Sequence, residues 1–332
     1  MSVLITSDLH FAENPRDHYR FRLFPFLKKQ IKEHKVKQLL ILGDLTETKD
    51  RHSAWLVNTI SDGISDLSKL CRVLIMRGNH DAVVPSFPFF KFVGMMDNIV
   101  WINSPTELEV QGLGSCCFLP HTTDYKTEWK DFDFASYDWT FAHASFAGAV
   151  SESGFTLKGI PVDYFPKGSR VISGDIHKPQ KIGCVTYVGS PYTVDFGDEF
   201  DPRLLLIEKG KLKSIPYVGP QKRLLVIHND EIPDAKSLTI RKGDILKIRV
   251  LLSKDLYAEW AKIQSRIREW AEKQGYNLYV VQPVIESVFR MKSEKKRKAE
   301  SKSDKQLLQE YVKSRAIDEK TVKTGLRLLR QL

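Results

Sequence analysis

Residues 72–81 read RVLIMRGNHD, an aliphatic run that ends in a turn carrying glycine, amide, imidazole and carboxylate groups. The same arrangement occurs at residues 36–44, VKQLLILGD, and at residues 2–10, SVLITSDLH. Aliphatic runs without an alternating polar face are typical of strands that are buried on both sides of a sheet. The first half of the chain therefore predicts buried strands that each end in a polar turn.

Helical patterns separate these strands. Apolar residues recur three and four positions apart over residues 21–35 and 52–70, as on one face of a helix. Alternation of strand and helix favours an α/β domain. Over residues 101–119 and 181–217, strands separated by turns follow one another instead, which indicates a mixed sheet or a second sheet.

The character of the chain changes near Pro220. Strand patterns at 223–227, 245–251 and 277–282 surround an amphipathic helical pattern at 254–273. Residues 292–305 hold seven Lys or Arg against three acidic residues, which is typical of a solvated linker. We predict a main domain over 1–220, a small separate β/α domain over 221–290, and a basic linker with a helical tail over 291–332.

Composition narrows the class of protein. A net charge of +10 and a pI near 9.2 favour polyanionic partners. The four cysteines lack CxxC spacing, so neither a zinc ribbon nor a disulfide framework is indicated. The first residues lack a basic leader, and no apolar stretch approaches the roughly 20 residues that span a bilayer. We expect a soluble, cytoplasmic protein with reduced thiols.

Five strand ends carry side chains that bind metal ions, and the carboxyl ends of strands are where sites assemble in open α/β sheets. They are Asp8 with His10, Asp44, Asn79 with His80 and Asp81, His143, and Asp175 with His177. Because the set contains carboxylate, imidazole and amide groups but no thiolate, it suits Mn²⁺, Mg²⁺ or Fe²⁺ better than a structural zinc.

In order and spacing, these residues resemble the calcineurin-like metallophosphoesterase family, whose pattern is DxH, GDxxD/E, GNHD/E, a lone His and GHxH. The chain has DLH, GDLTE, GNHD, an Ala-His pair and GDIH. The resemblance covers the first two thirds and implies a two-sheet sandwich with α/β/β/α layers. Residues 174–180, GDIHKPQ, and 187–203, YVGSPYTVDFGDEFDPR, are similar to the SbcD-type nuclease branch, especially its short phage-encoded forms.

The resemblance implies a role for each residue. One ion would be bound by Asp8, His10, Asp44 and His177, and the other by Asp44, Asn79, His143 and Asp175. Asp44 would bridge two ions about 3.5 to 4 Å apart, which activate water for in-line attack on phosphorus. His80 would stabilise the developing charge or protonate the leaving group, and Asp81 would orient the His80 ring.

One position departs from the family, which usually has histidine where this chain has Asp175. The added carboxylate should bind the second ion more tightly and make it a weaker Lewis acid, unless the site has lost activity. The roles of two other residues stay open. Glu47 either supports the site or caps the following helix, and Lys178 either contacts a DNA phosphate or is simply an exposed lysine. The remaining histidines are interpreted as capping or turn residues: His18, His34, His52, His121 and His228.

Two apolar segments suggest partners. The cluster after GNHD either packs in the core or forms a partner surface; the resemblance implies a homodimer through it. Its members are Phe87, Phe89, Phe90, Phe92, Val93, Met95 and Met96. The short tail helices carry narrow apolar stripes that either dock on a partner or pack on their own domain. The resemblance implies docking on the coiled coil of an SbcC-type ABC ATPase.

The resemblance thus implies a Mn²⁺-dependent DNA nuclease, with double-strand exonuclease and single-strand endonuclease activity, in an SbcCD-like recombination and repair complex. In such a nuclease the domain over 221–290 would cap the site and bind DNA. One alternative is a phosphoprotein phosphatase or small-molecule phosphodiesterase on the same scaffold. The other is a catalytically impaired DNA-binding scaffold.

Overall fold

A computed structural model describes residues 1–285 apart from 153 and 242. The predicted linker and tail helices lie outside the described residues. The strands are β1 (Ser2–Thr6), β2 (Val36–Ile41), β3 (Arg72–Met76), β4 (Ile99–Ile102), β5 (Thr106–Val110), β6 (Gly114–Leu119), β7 (Trp139–His143), β8 (Val171–Gly174), β9 (Gln180–Ile182), β10 (Val185–Tyr187), β11 (Arg203–Glu208), β12 (Lys211–Pro216), β13 (Lys222–His228), β14 (Ile245–Leu252) and β15 (Asn277–Ile285). The α-helices are α1 (Leu23–Glu33), α2 (Ala54–Ser68), α3 (Tyr125–Glu128), α4 (Lys254–Tyr257) and α5 (Trp260–Lys273).

The first sheet has the strand order β12-β11-β1-β2-β3-β4. Strands β1 to β4 are parallel, and β11 and β12 extend the sheet antiparallel beside β1. Helices α1 and α2 pack on one face. The three aliphatic runs are thus confirmed as parallel strands, and each ends at the same edge of the sheet.

The second sheet has the order β5-β6-β7-β8-β10-β9, with parallel strands in the middle and an antiparallel strand at each edge. A core cluster joins the two sheets, with Leu40 and Leu74 from the first facing Phe118 and Phe141 from the second. The two-sheet α/β sandwich is therefore confirmed. The outer face of the second sheet is covered mainly by aromatic loop residues such as Trp129, together with the short helix α3.

A second compact unit contains residues 225–239, 248–274 and 278–285 of the described chain. Strands β13, β14 and β15 form a three-stranded sheet. The single helix predicted over 254–273 is broken into α4 and α5, and Ser253 caps the first by accepting a hydrogen bond from the Leu256 amide. The boundaries at 220 and 290 stay predictions. Among the described residues, no helix has the length and apolar character needed to cross a membrane.

Candidate metal centre

The predicted ligands converge where β1, β2, β3, β7 and β8 end. Three overlapping groups present ligand atoms within 4.8 Å of one another: Asp8 with His10 and His177, Asp8 with Asp44 and His143, and His10 with Asp44 and His80. The Asn79 amide lies 2.8 Å from Nε2 of His143. Oδ1 of Asp175 lies 3.8 Å from the same nitrogen. The structure thus brings all seven predicted ligands together, while the ion that each would bind stays a prediction.

Glycines allow this close approach. A Cβ on Gly78 would lie 2.2 Å from Oδ1 of Asp44, and one on Gly43 would lie 2.4 Å from Nδ1 of His143. Gly43 also has φ of +100°, a conformation that L side chains rarely adopt. The glycines of the GD and GNHD turns are therefore required by the packing of the ligands themselves.

Two histidines are held by backbone carbonyl groups. Nδ1 of His143 lies 2.6 Å from the Leu42 carbonyl oxygen, and Nδ1 of His80 lies 2.8 Å from that of Glu47. A carbonyl oxygen only accepts hydrogen bonds, so each Nδ1 carries a proton and donates it. In both residues Nε2 is therefore the nitrogen available to a metal ion or a substrate.

The role predicted for Asp81 is wrong. Its carboxylate, 1% exposed, makes none of its hydrogen bonds to the His80 ring. It accepts hydrogen bonds from three backbone amides, those of Asp44 (2.9 Å), Leu45 (2.8 Å) and Gly78 (2.6 Å). Asp81 therefore fastens the GD turn to the GNHD turn, and it is the Glu47 carbonyl that orients His80.

Glu47 lies beside the predicted ligands and does not cap the following helix, whose N-cap is Ser53. Its Oε2 lies 3.5 Å from Nδ1 of His10, the nitrogen opposite the one that faces Asp44. Nδ1 of His10 makes no hydrogen bond in the described chain, so Glu47 acts on this ring as a nearby negative charge. A carboxylate behind an imidazole ligand raises the basicity of the ligand nitrogen. Arg20, buried and missed by the sequence reasoning, donates to Glu47 at 3.2 Å and to the His10 carbonyl oxygen. The sequence carries no motif that singles out Arg20.

Two more supporting residues carry no sequence signal. Glu152 accepts a hydrogen bond from the His177 amide at 2.6 Å. Ser145 donates to Oδ2 of Asp175 at 2.5 Å, which leaves Oδ1 of Asp175 facing His143. The carboxylate that stands where the family has histidine is thus oriented by a neighbour.

Burial sets the proton affinity of two ligands. It raises the pKa of Asp8 to about 6, although His143 and His177 oppose this shift. It also holds the pKa of His10 well below its usual range, although Asp44 opposes that shift. Both effects follow from the cost of a charge in a poorly hydrated site.

His143 and Asp44 behave in the opposite way because they face each other 3.5 Å apart. Burial lowers the pKa of His143, but Asp44, Asp8 and Asp175 outweigh it and raise this pKa to about 10. Burial likewise raises the pKa of Asp44, but His143 outweighs it and the net shift is downward. A cation that takes Nε2 of His143 as a ligand must therefore displace a proton.

The donor set fits divalent cations. Oδ2 of Asp8 is buried without a hydrogen-bond partner, and the Nε2 atoms of His10 and His177 lie 3.0 Å apart. A cation would accept lone pairs from all three, which neutralises buried carboxylate charge as well. The mixture of oxygen and imidazole ligands matches the ions expected from the sequence.

Comparison with known proteins agrees with this geometry. A family model described as calcineurin-like phosphoesterase matches residues 1–280. No curated protein matches the chain at a significant level.

Solved structures to which the chain is similar include an archaeal phosphodiesterase, which is 12% identical over 65% of this chain and 99% of its own, with a TM-score of 0.36. The phosphoesterase Yfce from E. coli is 13% identical over 66% of this chain and 94% of its own, with a TM-score of 0.36. A cold-active protein-tyrosine phosphatase of a psychrophilic Shewanella species is 12% identical over 65% of this chain and 80% of its own, with a TM-score of 0.30. TM-scores this low carry no argument about function.

The family model covers most of the chain, and the buried cluster of Asp and His ligands is what a metal-dependent phosphoesterase needs. The chain belongs to the calcineurin-like phosphoesterase family, whose members are hydrolases that depend on two metal ions.

Proposed function

We propose that the chain is a Mn²⁺-dependent DNA nuclease of the SbcD type, with double-strand exonuclease and single-strand endonuclease activity. The observation that carries the proposal is the convergence of ligands from five strand ends around Asp44, beside the sequence features of the SbcD branch. Bound divalent cations would supply positive charge that polarises the phosphoryl group and activates water.

His80 is the proton-transfer residue in this proposal. Its Nδ1 is occupied by the Glu47 carbonyl oxygen, so only Nε2 exchanges a proton with the leaving oxygen. Its amide donates to Oδ1 of Asp44 at 2.8 Å, which fixes the backbone beside the central ligand. General acid catalysis of this kind contributes roughly 10² to 10⁴ in rate.

Charge along the chain supports a polyanionic substrate. Residues 286–332 hold fourteen Lys and Arg against seven Asp and Glu, so most of the net charge of +10 belongs to this segment. We propose that the segment contributes electrostatic attraction to DNA and that its apolar stripes bind an SbcC-type ABC ATPase. Both proposals concern residues outside the described part of the chain.

An exposed apolar surface supports the proposed homodimer. Phe90 and Val93 of the cluster are buried in the core, whereas Phe87 is 80% exposed and Met95 89% exposed. The cluster is therefore partly core and partly surface. Exposed apolar groups of this size are typical of interaction sites. A strictly monomeric species in light scattering at micromolar concentration would contradict the dimer.

The test compares substrates under one set of conditions. Purified protein with Mn²⁺ is incubated with blunt duplex DNA, circular single-stranded DNA and an aryl phosphomonoester, with and without a co-encoded ATPase. We expect cleavage of both DNAs, and a loss of roughly 10² to 10⁴ in rate in His80→Asn. Hydrolysis of the phosphomonoester alone would favour the phosphatase alternative. DNA binding without cleavage would favour an impaired scaffold.

A further inference from the structure

A cavity of about 430 Å³ has in its lining Lys178, the residue that follows the predicted ligand His177. Its lining comes from two segments, residues 178–179 directly after the predicted ligand His177, and residues 200–203 at the start of β11, with Ser214 and Pro216 of β12 completing it. Both segments belong to the sequence features that the candidate metal centre leaves unexplained, KPQ and EFDPR.

Arg203 places a fixed positive charge in this cavity. Its guanidinium donates to the carbonyl oxygens of Tyr187 (2.9 Å) and Val188 (3.3 Å) and to Oγ of Ser214 (3.1 Å). No carboxylate among the described residues lies within ion-pair distance of this guanidinium. This holds also for Asp201, which lines the same cavity. These three contacts use only part of the guanidinium fork, and a half-buried cation without a counter-ion favours an anionic ligand.

Two other lining residues extend the site. Lys178 is half-buried and has no ion-pair partner among the described residues. Phe200 is half-buried too, and in the described chain no aromatic ring or cation stacks on it. Two cations beside a partly exposed aromatic ring are the combination that binds a phosphate together with a base.

One short loop connects the cavity to the metal centre. The carbonyl groups of Tyr187 and Val188 hold Arg203, and two residues later Ser190 donates its amide to the His177 carbonyl oxygen (2.9 Å) and its hydroxyl to that of Asp8 (2.9 Å). Gly189 lies between them, where a Cβ would be 2.7 Å from the His177 carbonyl oxygen. The cavity is therefore fixed relative to two predicted ligands.

We propose that this cavity binds the nucleotide adjacent to the scissile phosphate, with its base on Phe200 and its phosphate between Lys178 and Arg203. This inference rests on the proposed function and names a subsite for it. Because the base is bound by stacking, the subsite favours nucleic acid over compact phosphomonoesters without selecting a sequence.

The experiment measures binding of the full chain to two fluorescein-labelled single strands by anisotropy in EDTA, where cleavage stops. One strand is oligothymidylate and the other is an abasic strand of equal length. The variants are Phe200→Leu, which keeps apolar volume but loses the flat ring, and Lys178→Ala. Lys211→Ala, an exposed lysine on β12 that does not line the cavity, is the matched control, and melting curves verify folding.

For Phe200→Leu we expect about tenfold weaker binding to oligothymidylate and unchanged binding to the abasic strand. For Lys178→Ala we expect weaker binding to both strands. The slope of the logarithm of the binding constant against the logarithm of salt concentration should be shallower by about 0.7. Equal behaviour of both variants and Lys211→Ala, or an equal loss on both strands for Phe200→Leu, would overturn the subsite while wild-type cleavage of DNA still stands. Wild-type protein that neither binds nor cleaves DNA would overturn the proposed function first.

Discussion

Replacement of Asp81 tests whether this carboxylate is structural or catalytic. The three amides that it binds belong to the turns that carry Asp44 and Asn79. Asp81→Ala leaves these amides without an acceptor in a site that is almost fully buried. Asp81→Asn keeps one acceptor oxygen, but its NH₂ group faces a backbone amide, and two hydrogen-bond donors cannot bond to each other.

The expected loss of stability follows from the backbone amides that lose their hydrogen-bond acceptor. Each costs roughly 1 to 3 kcal/mol when it cannot reach water, and partial hydration of the space left by the side chain reduces the sum. We expect Asp81→Ala to lower the free energy of unfolding by about 4 kcal/mol and Asp81→Asn by about 2 kcal/mol. For a domain of this size, the larger loss lowers the melting temperature by about 10 °C.

The assay is thermal unfolding followed by circular dichroism in EDTA, so that metal binding does not contribute. Asp97→Ala, at an exposed aspartate, is the control and should leave the melting temperature almost unchanged. The reasoning is refuted if Asp81→Ala melts like the parent protein and instead slows hydrolysis as His80→Asn does. That result would restore Asp81 as the residue that orients His80.

Further predictions concern the ligands and the thiols. Glu47→Gln should weaken Mn²⁺ binding by roughly 10- to 100-fold in calorimetric titration. The control Glu33→Gln, at an exposed glutamate, should leave the affinity unchanged. Equal Mn²⁺ affinities of the two variants would show that Glu47 does not support the metal ligands. Asp175→His should weaken binding of the second ion and increase its Lewis acidity, so unchanged affinity and rate would contradict the charge argument. Burial raises the pKa of Cys71 to about 11 and that of Cys116 to about 12, so both stay protonated at pH 8 and should resist Ellman's reagent in the native protein. The half-buried Cys184 should react first, and rapid reaction of all four native thiols would contradict the buried positions.

The parts of the fold that the sequence predicted well depend on local patterns. Strand β3 covers the aliphatic part of residues 72–81, and α2 is a few residues shorter than its apolar pattern over residues 52–70. Ligand positions followed from the same patterns, because parallel neighbouring strands end at one edge whatever the remote contacts are. The helix over 254–273 was predicted less well: its apolar spacing continues across Ala258 and Glu259, where the structure ends α4 and begins α5.

Supporting residues were not predictable, because their roles come from contacts between distant parts of the chain. Arg20 reaches the carbonyl oxygen of Val194, 174 positions away. Asp81 shows how such contacts mislead: sequence places it next to His80, but the amides that need an acceptor are on the turn of β2. Adjacency in sequence therefore says little about which group a buried carboxylate satisfies.

Backbone strain links the fold to the chemistry of the site. Asp8, His10, Asp44 and Asp175 all have positive φ, between 44° and 86°, where an L residue other than glycine costs roughly 1 to 2 kcal/mol. Such residues persist only when their surroundings enforce them, and here Asp8 and His10 donate their amides to the carbonyl oxygens of Gly43 and Asp44. The hydrogen bonds of these turns thus hold the side chains aimed at one point. The strained turns are therefore the part of the domain where backbone stability has been exchanged for the geometry of the site.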